Sequence, residues 1–170
     1  MKRLLCVAVA STGLAACATM TSNEPKASAE LAPTSGNNTR GTVTFVQQGD
    51  KVAMSAKVSG LAPGAHGFHI HEKGDCSSGD GMSTGGHYNP AGKPHGPQDA
   101  AHHAGDMPSL TADASGNASA TFELSGVAIG SGAADLVGKG LIVHRDADDF
   151  KTQPTGNAGP RIACAVIRKS

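Results

Sequence analysis

Thr42-Val43-Thr44-Phe45-Val46-Gln47-Gln48-Gly49-Asp50-Lys51-Val52-Ala53-Met54-Ser55-Ala56-Lys57-Val58 decides the fold class. Its first limb alternates in strand fashion, Gln48-Gly49-Asp50 supplies a turn, and Val52, Met54, Ala56 and Val58 recur at period two. Because strand side chains alternate faces, the pattern is a β-hairpin with one buried face. Outward from it the same signal returns at residues 119–124, 141–145 and 163–168, with no helix of useful length and no internal repeat.

Composition agrees with a β-rich domain. The 170 residues suffice for one domain with short extras, and 38% hydrophobic content for one core. With four Phe, one Tyr and no Trp, that core must be built from Val, Ile, Leu and Ala, while 23 Gly and 9 Pro imply many turns. Formal charge is zero, and removal of Lys2 and Arg3 with a leader would leave 12 basic against 14 acidic residues. Such a balance offers no basic field for nucleic acid.

The N-terminus has the plan of a secretory signal peptide over residues 1–16: Lys2-Arg3, the apolar run Leu4-Leu5-Cys6-Val7-Ala8-Val9-Ala10, then small residues. Leu14-Ala15-Ala16-Cys17 is similar to a bacterial lipoprotein signal, which would make Cys17 a lipid-bearing first residue and give the chain a membrane association. Residues 17–40, polar and turn-rich, are expected to be this lipidated cysteine and a flexible tether, and residues 41–170 the domain. Expected localisation is the cell envelope, periplasmic and anchored to the outer membrane. With Cys6 lost and Cys17 lipidated, Cys76 and Cys164 remain as a disulfide pair.

Chemistry concentrates after the hairpin, in His66-Gly67-Phe68-His69-Ile70-His71-Glu72-Lys73-Gly74-Asp75-Cys76. His66 to Glu72 reads as one strand, on which His69 and His71, two residues apart, face one side and can grip one ion. Residues from Lys73 to about Met107 are rich in Gly, Pro, His and Asp without periodicity. So long a loop in a compact domain is expected to be functional, ordered by a metal and the disulfide. Within it His87, His95, His103 and Asp106 are separated by eight, eight and three residues. Three His and one Asp fill a zinc tetrahedron, whereas His69, His71 and the strand residue His144 offer imidazole alone, which suits copper.

Five motifs carry a family resemblance: Gly67-Phe68-His69-Ile70-His71-Glu72, Gly86-His87-Tyr88-Asn89-Pro90, His103-Ala104-Gly105-Asp106, Val143-His144-Arg145-Asp146-Ala147-Asp148-Asp149, and Gly156-Asn157-Ala158-Gly159-Pro160-Arg161-Ile162-Ala163-Cys164. In this order they resemble the copper/zinc superoxide dismutases of the bacterial exported type, from Gly41 to Ile167. The resemblance implies an all-β Greek-key barrel or sandwich, immunoglobulin-like, of about eight antiparallel strands with a long metal-binding loop. It implies one copper ion on His69, His71, His87 and His144, and one zinc ion on His87, His95, His103 and Asp106, with His87 bridging. It further implies that Asp148 accepts hydrogen bonds from His69 and His95, that Arg161 binds the superoxide anion, that His87 takes part in proton transfer, and that Thr155 lies at the channel wall. His66 is expected to be structural. His102 adjoins His103, and only the His-x-Gly-Asp register selects the latter.

The activity so implied is dismutation of superoxide to O2 and hydrogen peroxide, with a copper-buffering protein on the same fold as the alternative. A zinc hydrolase would need an open zinc position and a general base. Between Asp149 and Thr155 only five residues intervene, so Lys73 or Lys151 is expected to steer the anion. Monomer and homodimer are both compatible with the resemblance.

Overall fold

The computed structural model describes residues 24–170, so the expected leader over residues 1–16, with Cys6, and the expected lipid site Cys17 lie outside the described residues. Ten strands follow in chain order: β1 (Lys26–Pro33), β2 (Arg40–Gln48), β3 (Lys51–Ser59), β4 (Gly64–His66), β5 (Phe68–His71), β6 (Leu110–Ala112), β7 (Ala118–Ser125), β8 (Gly140–His144), β9 (Arg161–Val166) and β10 (Arg168–Lys169). One 3-10 turn, Met82–Thr84, interrupts the loop between β5 and β6. No helix among the described residues is long and apolar enough to cross a membrane.

The expected hairpin is β2–β3. Phe45 pairs with Met54 and Val43 with Ala56, and Gln48 opposite Lys51 closes a two-residue turn. Gly49 takes φ 62° at the first turn position, where a twist-matched hairpin turn calls for positive φ. Val43, Phe45, Val52, Met54, Ala56 and Val58 are all buried, as the period-two pattern requires.

The main sheet has eight strands, in the order β5-β8-β9-β1-β2-β3-β7 with β10 beside β1, and is antiparallel throughout; β4 and β6 form a separate ribbon. The chain crosses from β3, next to one end of the sheet, to β5 at the other end, and from the end strand β7 back to β8. These are Greek-key connections in an all-β sheet curled into a half-barrel around Phe45, Met54, Phe68, Ile70, Leu110, Leu124, Leu136, Leu141 and Ile167.

Two expectations change. Within the segment read as a tether, residues 17–40, Lys26–Pro33 is the strand β1: it pairs with β2 from Lys26 to Leu31 and with β9 at Ala32 and Pro33. The β-barrel therefore begins near Lys26 and not Gly41, leaving only the residues before it for a tether. Ala27, Ala29 and Leu31 are buried at period two. The small side chains of Ala27 and Ala29 give little hydrophobic contrast, so tertiary pairing decides the strand. Second, the run 66–72 is not one strand. It breaks at Gly67, where a Cβ would stand 2.7 Å from that of Ala158, so β4 pairs with β6 and β5 with β8.

The loop after β5 is docked on that strand's outer edge. Ile70 donates to the Gly105 carbonyl at 2.9 Å, Tyr88 to the Ile70 carbonyl at 2.8 Å, and Gly105 to the Tyr88 carbonyl at 2.8 Å. A Cβ on Gly105 would strike the Ile70 carbonyl, so only glycine permits this approach. The disulfide Cys76–Cys164, spanning 88 residues, ties the beginning of the same loop to β9.

Candidate metal centre

On β5 chemistry alternates where burial does not. Phe68 and Ile70 enter the core, His69 and His71 face the loop, and all four are buried. Isolated bridges between His69 and Asp106 and between His71 and His87 lay loop residues directly across the strand histidines. From β8, His144 joins them. A bulge between β8 and β9 sets Arg161, rather than Ile162, opposite His144. That one-residue shift reverses side-chain parity and brings the guanidinium to the His144 side.

Two four-residue groups result, His69, His71, His87 and His144, and His87, His95, His103 and Asp106, each with ligand atoms within 4.8 Å of one another and every member buried. All seven residues expected as ligands are brought together, in the expected division, with His87 common to both.

Ring tautomers follow from the acceptors around them. Nε2 of His69 donates to Asp148 Oδ2 at 2.7 Å, Nδ1 of His71 to the Gly85 carbonyl at 3.0 Å, and Nδ1 of His144 to the Gly159 carbonyl at 3.0 Å. An imidazole that donates from one nitrogen and is neutral carries a lone pair on the other. Those other atoms, Nδ1 of His69 and Nε2 of His71 and His144, are buried without a hydrogen-bond partner, as are Nε2 of His87 and Nδ1 of His95. Burial holds the pKa of His69 and His71 well below the usual imidazole value and lowers that of His144 to about 4. Converging neutral lone pairs with no donor to meet them fit a soft or borderline divalent ion.

In the second group Asp106 Oδ1 lies 2.7, 2.9 and 3.3 Å from Nδ1 of His87, His95 and His103. The 2.9 Å approach of His95 is a close contact and not a hydrogen bond, so its Nδ1 is left without a partner. Oδ2 of Asp106 accepts from the main chain of Gly96 at 3.1 Å and His103 at 2.9 Å, leaving Oδ1 for the cluster. Burial opposes its charge, but the facing imidazoles and the Gly96 amide outweigh it and hold the carboxyl well below the ordinary range. Three nitrogens and one carboxylate oxygen are a zinc-type donor set.

Asp148 joins the groups, accepting from His69 through Oδ2 and from His95 Nε2 through Oδ1 at 2.9 Å. Arg161 is anchored from below: Nη1 donates to the Gly81 carbonyl at 2.7 Å and to Thr84 Oγ1 at 2.8 Å, and Nη2 to the Gly85 carbonyl at 2.8 Å. Three of its five N–H groups are thus committed, leaving Nε–H and one Nη2–H. His66 turns its two nitrogens to the carbonyls of His144 and Ala62, at 2.9 and 2.8 Å, and His102 turns Nδ1 to that of Ala100 at 2.7 Å; neither joins a cluster. Thr155 is half-buried, while Lys73 and Lys151 are exposed. Thr84, which anchors Arg161, went unnoticed in the sequence, where nothing but its closeness to His87 marks it.

An all-β Greek-key barrel that seats two histidine-rich, metal-type clusters on a shared imidazole defines a two-metal protein class. The chain belongs to the copper/zinc superoxide dismutase family, whose model, "Copper/zinc superoxide dismutase (SODC)", matches residues 39–167. It is also similar to a solved structure titled "Crystal Structure Analysis of the clock protein EA4", at 38% identity and a TM-score of 0.77, over 84% of this chain and 93% of that one.

Proposed function

We propose that this chain dismutes superoxide, converting two superoxide anions and two protons to O2 and hydrogen peroxide. The observation that carries the reading is His87, which gives Nδ1 to one buried four-donor group and Nε2 to the other. His69, His71, His87 and His144 would hold copper, and His87, His95, His103 and Asp106 zinc; when bound, copper supplies one-electron chemistry by alternating between two oxidation states.

The protein's own residues do the rest. His87 holds and releases a proton at Nε2, a buried atom with no competing hydrogen-bond partner. Arg161 receives the anion on its Nε–H and remaining Nη2–H through charge-assisted hydrogen bonds. Asp148 keeps His69 and His95 in the tautomers that present Nδ1 to the clusters. A copper-buffering protein would need the ligands but no anion-binding cation, and Arg161 with two free donors supports turnover.

The reading is tested by metal analysis and a superoxide assay on the full chain before and after copper removal. We expect one copper and one zinc per chain, with activity that disappears with copper and returns with it. Arg161→Gln should retain both metals and lose at least tenfold in rate. Activity that survives copper removal, or zinc binding with no copper site, overturns the reading.

Export is part of the same proposal: a signal peptide over residues 1–16 and a lipid on Cys17, holding the domain in the cell envelope at the outer membrane. The Cys76–Cys164 disulfide supports it, since such bonds persist in oxidising compartments. Cys17→Ser should abolish incorporation of a labelled fatty acid and release the chain from the membrane fraction; unchanged labelling overturns the anchor.

A further inference from the structure

His95 differs from the other members of its cluster in how its main chain is held. His87 and Asp106 lie in bridges to β5, and His103 donates its own N–H to Asp106. His95 sits between Pro94 and Gly96-Pro97, outside any strand, and among the described residues no main-chain to main-chain hydrogen bond reaches it. Its partner is a side chain: the His95 N–H donates to Gln153 Oε1 at 2.8 Å, and Gln153 Nε2 donates to the His95 carbonyl at 2.8 Å. One carboxamide therefore meets both polar groups of one residue, as a neighbouring strand would.

We propose that Gln153 is a positioning residue for the second metal cluster, acting through the main chain of His95; this rests on the metal reading above. Asp148 fixes the His95 ring at Nε2. Ring orientation alone does not place Nδ1, because the Cα can still move with its Gly- and Pro-rich segment; the carboxamide removes that freedom. Gln153 is itself held on a firm turn, where Asp149 Oδ1 accepts from the amides of Lys151 and Thr152 at 2.8 Å each and Oδ2 from the Thr152 hydroxyl at 2.6 Å. The five-residue loop after Asp149 thus carries, at its fourth residue, a two-point grip on the main chain of a candidate ligand.

The test uses Gln153→Met, which keeps the reach and loses both hydrogen bonds, and Gln153→Glu, which keeps only the acceptor. Co2+ serves as probe for the second cluster and Cu2+ for the first, with affinities from chelator competition and the Co2+ visible spectrum as a readout of ligand geometry. Partners of metal-bound histidines typically carry roughly 10- to 100-fold in affinity. We expect Gln153→Met to weaken Co2+ roughly tenfold and change its spectrum, Gln153→Glu to fall between it and the unmodified chain, and Cu2+ affinity to stay unchanged. Unaltered Co2+ affinity and spectrum in Gln153→Met overturn the proposal. So does a parallel fall in both affinities that tracks the melting temperature of the metal-free variant. If the unmodified chain takes up no Co2+, the metal reading fails, and this inference with it.

Discussion

Gly156 stands where a side chain would collide with the carboxylate of Asp148: a Cβ built on it meets Asp148 Oδ1 and comes within 2.6 Å of His95 Nε2. Its φ of 64° also lies in the left-handed region that disfavours other residues. Gly156→Ala should therefore push Asp148 off both imidazoles. We expect metal affinity to fall roughly tenfold or more in both clusters, read by chelator competition; loss confined to one cluster would contradict a shared hinge at Asp148.

Thr84 is fully buried, its hydroxyl donating to the Gly81 carbonyl at 2.8 Å while it accepts from Arg161. Thr84→Val keeps the shape and removes both bonds. The expected cost is about 1–3 kcal/mol in stability, together with a severalfold slower superoxide reaction at full metal content. A normal rate would show that the two carbonyls alone hold the guanidinium.

Cys76→Ser with Cys164→Ser opens a ring of 88 residues. Chain entropy assigns such a ring on the order of 4 kcal/mol, which should appear as a lower denaturation midpoint. The loop bearing Gly81, Thr84 and Gly85 loses its covalent tie to β9 and keeps only the Arg161 hydrogen bonds, so activity should fall further than metal content does. Equal losses of both would argue for global softening alone.

Acidification should weaken the metal-free chain. Burial lowers His144 from the ordinary 6.5 to about 4. Between those values the unfolded chain binds a proton that the folded one refuses, so stability declines as pH falls through that window and is recovered towards neutrality. His144 alone is assigned about 3 kcal/mol of this decline, and His69 and His71, also lowered by burial, act in the same direction. A melting temperature that is flat from neutrality down to the lower limit of that window would refute it.

Lys73 is exposed, with its side chain beside Gly85, whose carbonyl anchors Arg161. Lys73→Glu should slow the reaction at low ionic strength with both metals retained, and the difference should shrink as salt screens the charge. An unchanged rate and salt slope would remove Lys73 as a steering group.

How much of this was legible in the sequence depends on the range of the interaction concerned. The β2–β3 hairpin follows from local alternation, and the shared face of His69 and His71 from strand geometry. Convergence of His144 and Arg161 does not, because a bulge that only the β8–β9 pairing reveals sets the parity of Arg161; the ordered motifs singled it out instead. Strand β1 escaped because Ala27 and Ala29 carry too little apolar surface to announce a buried face. Gln153 escaped because a polar residue in a Pro-containing loop looks like any solvated side chain until the His95 main chain is seen against it.

The docked loop has a second consequence. Strand β5 ends the sheet order, and Gly86, Tyr88 and Gly105 occupy hydrogen-bonding positions along its outer side. An uncovered strand edge is a template for another chain. The segment that gathers the candidate ligands is therefore also the guard of that edge, and a chain with this loop loosened would present Phe68-His69-Ile70-His71 as a site of intermolecular strand pairing. If the two clusters hold ions as proposed, metal loading would bear on the solubility of this protein as well as on its chemistry.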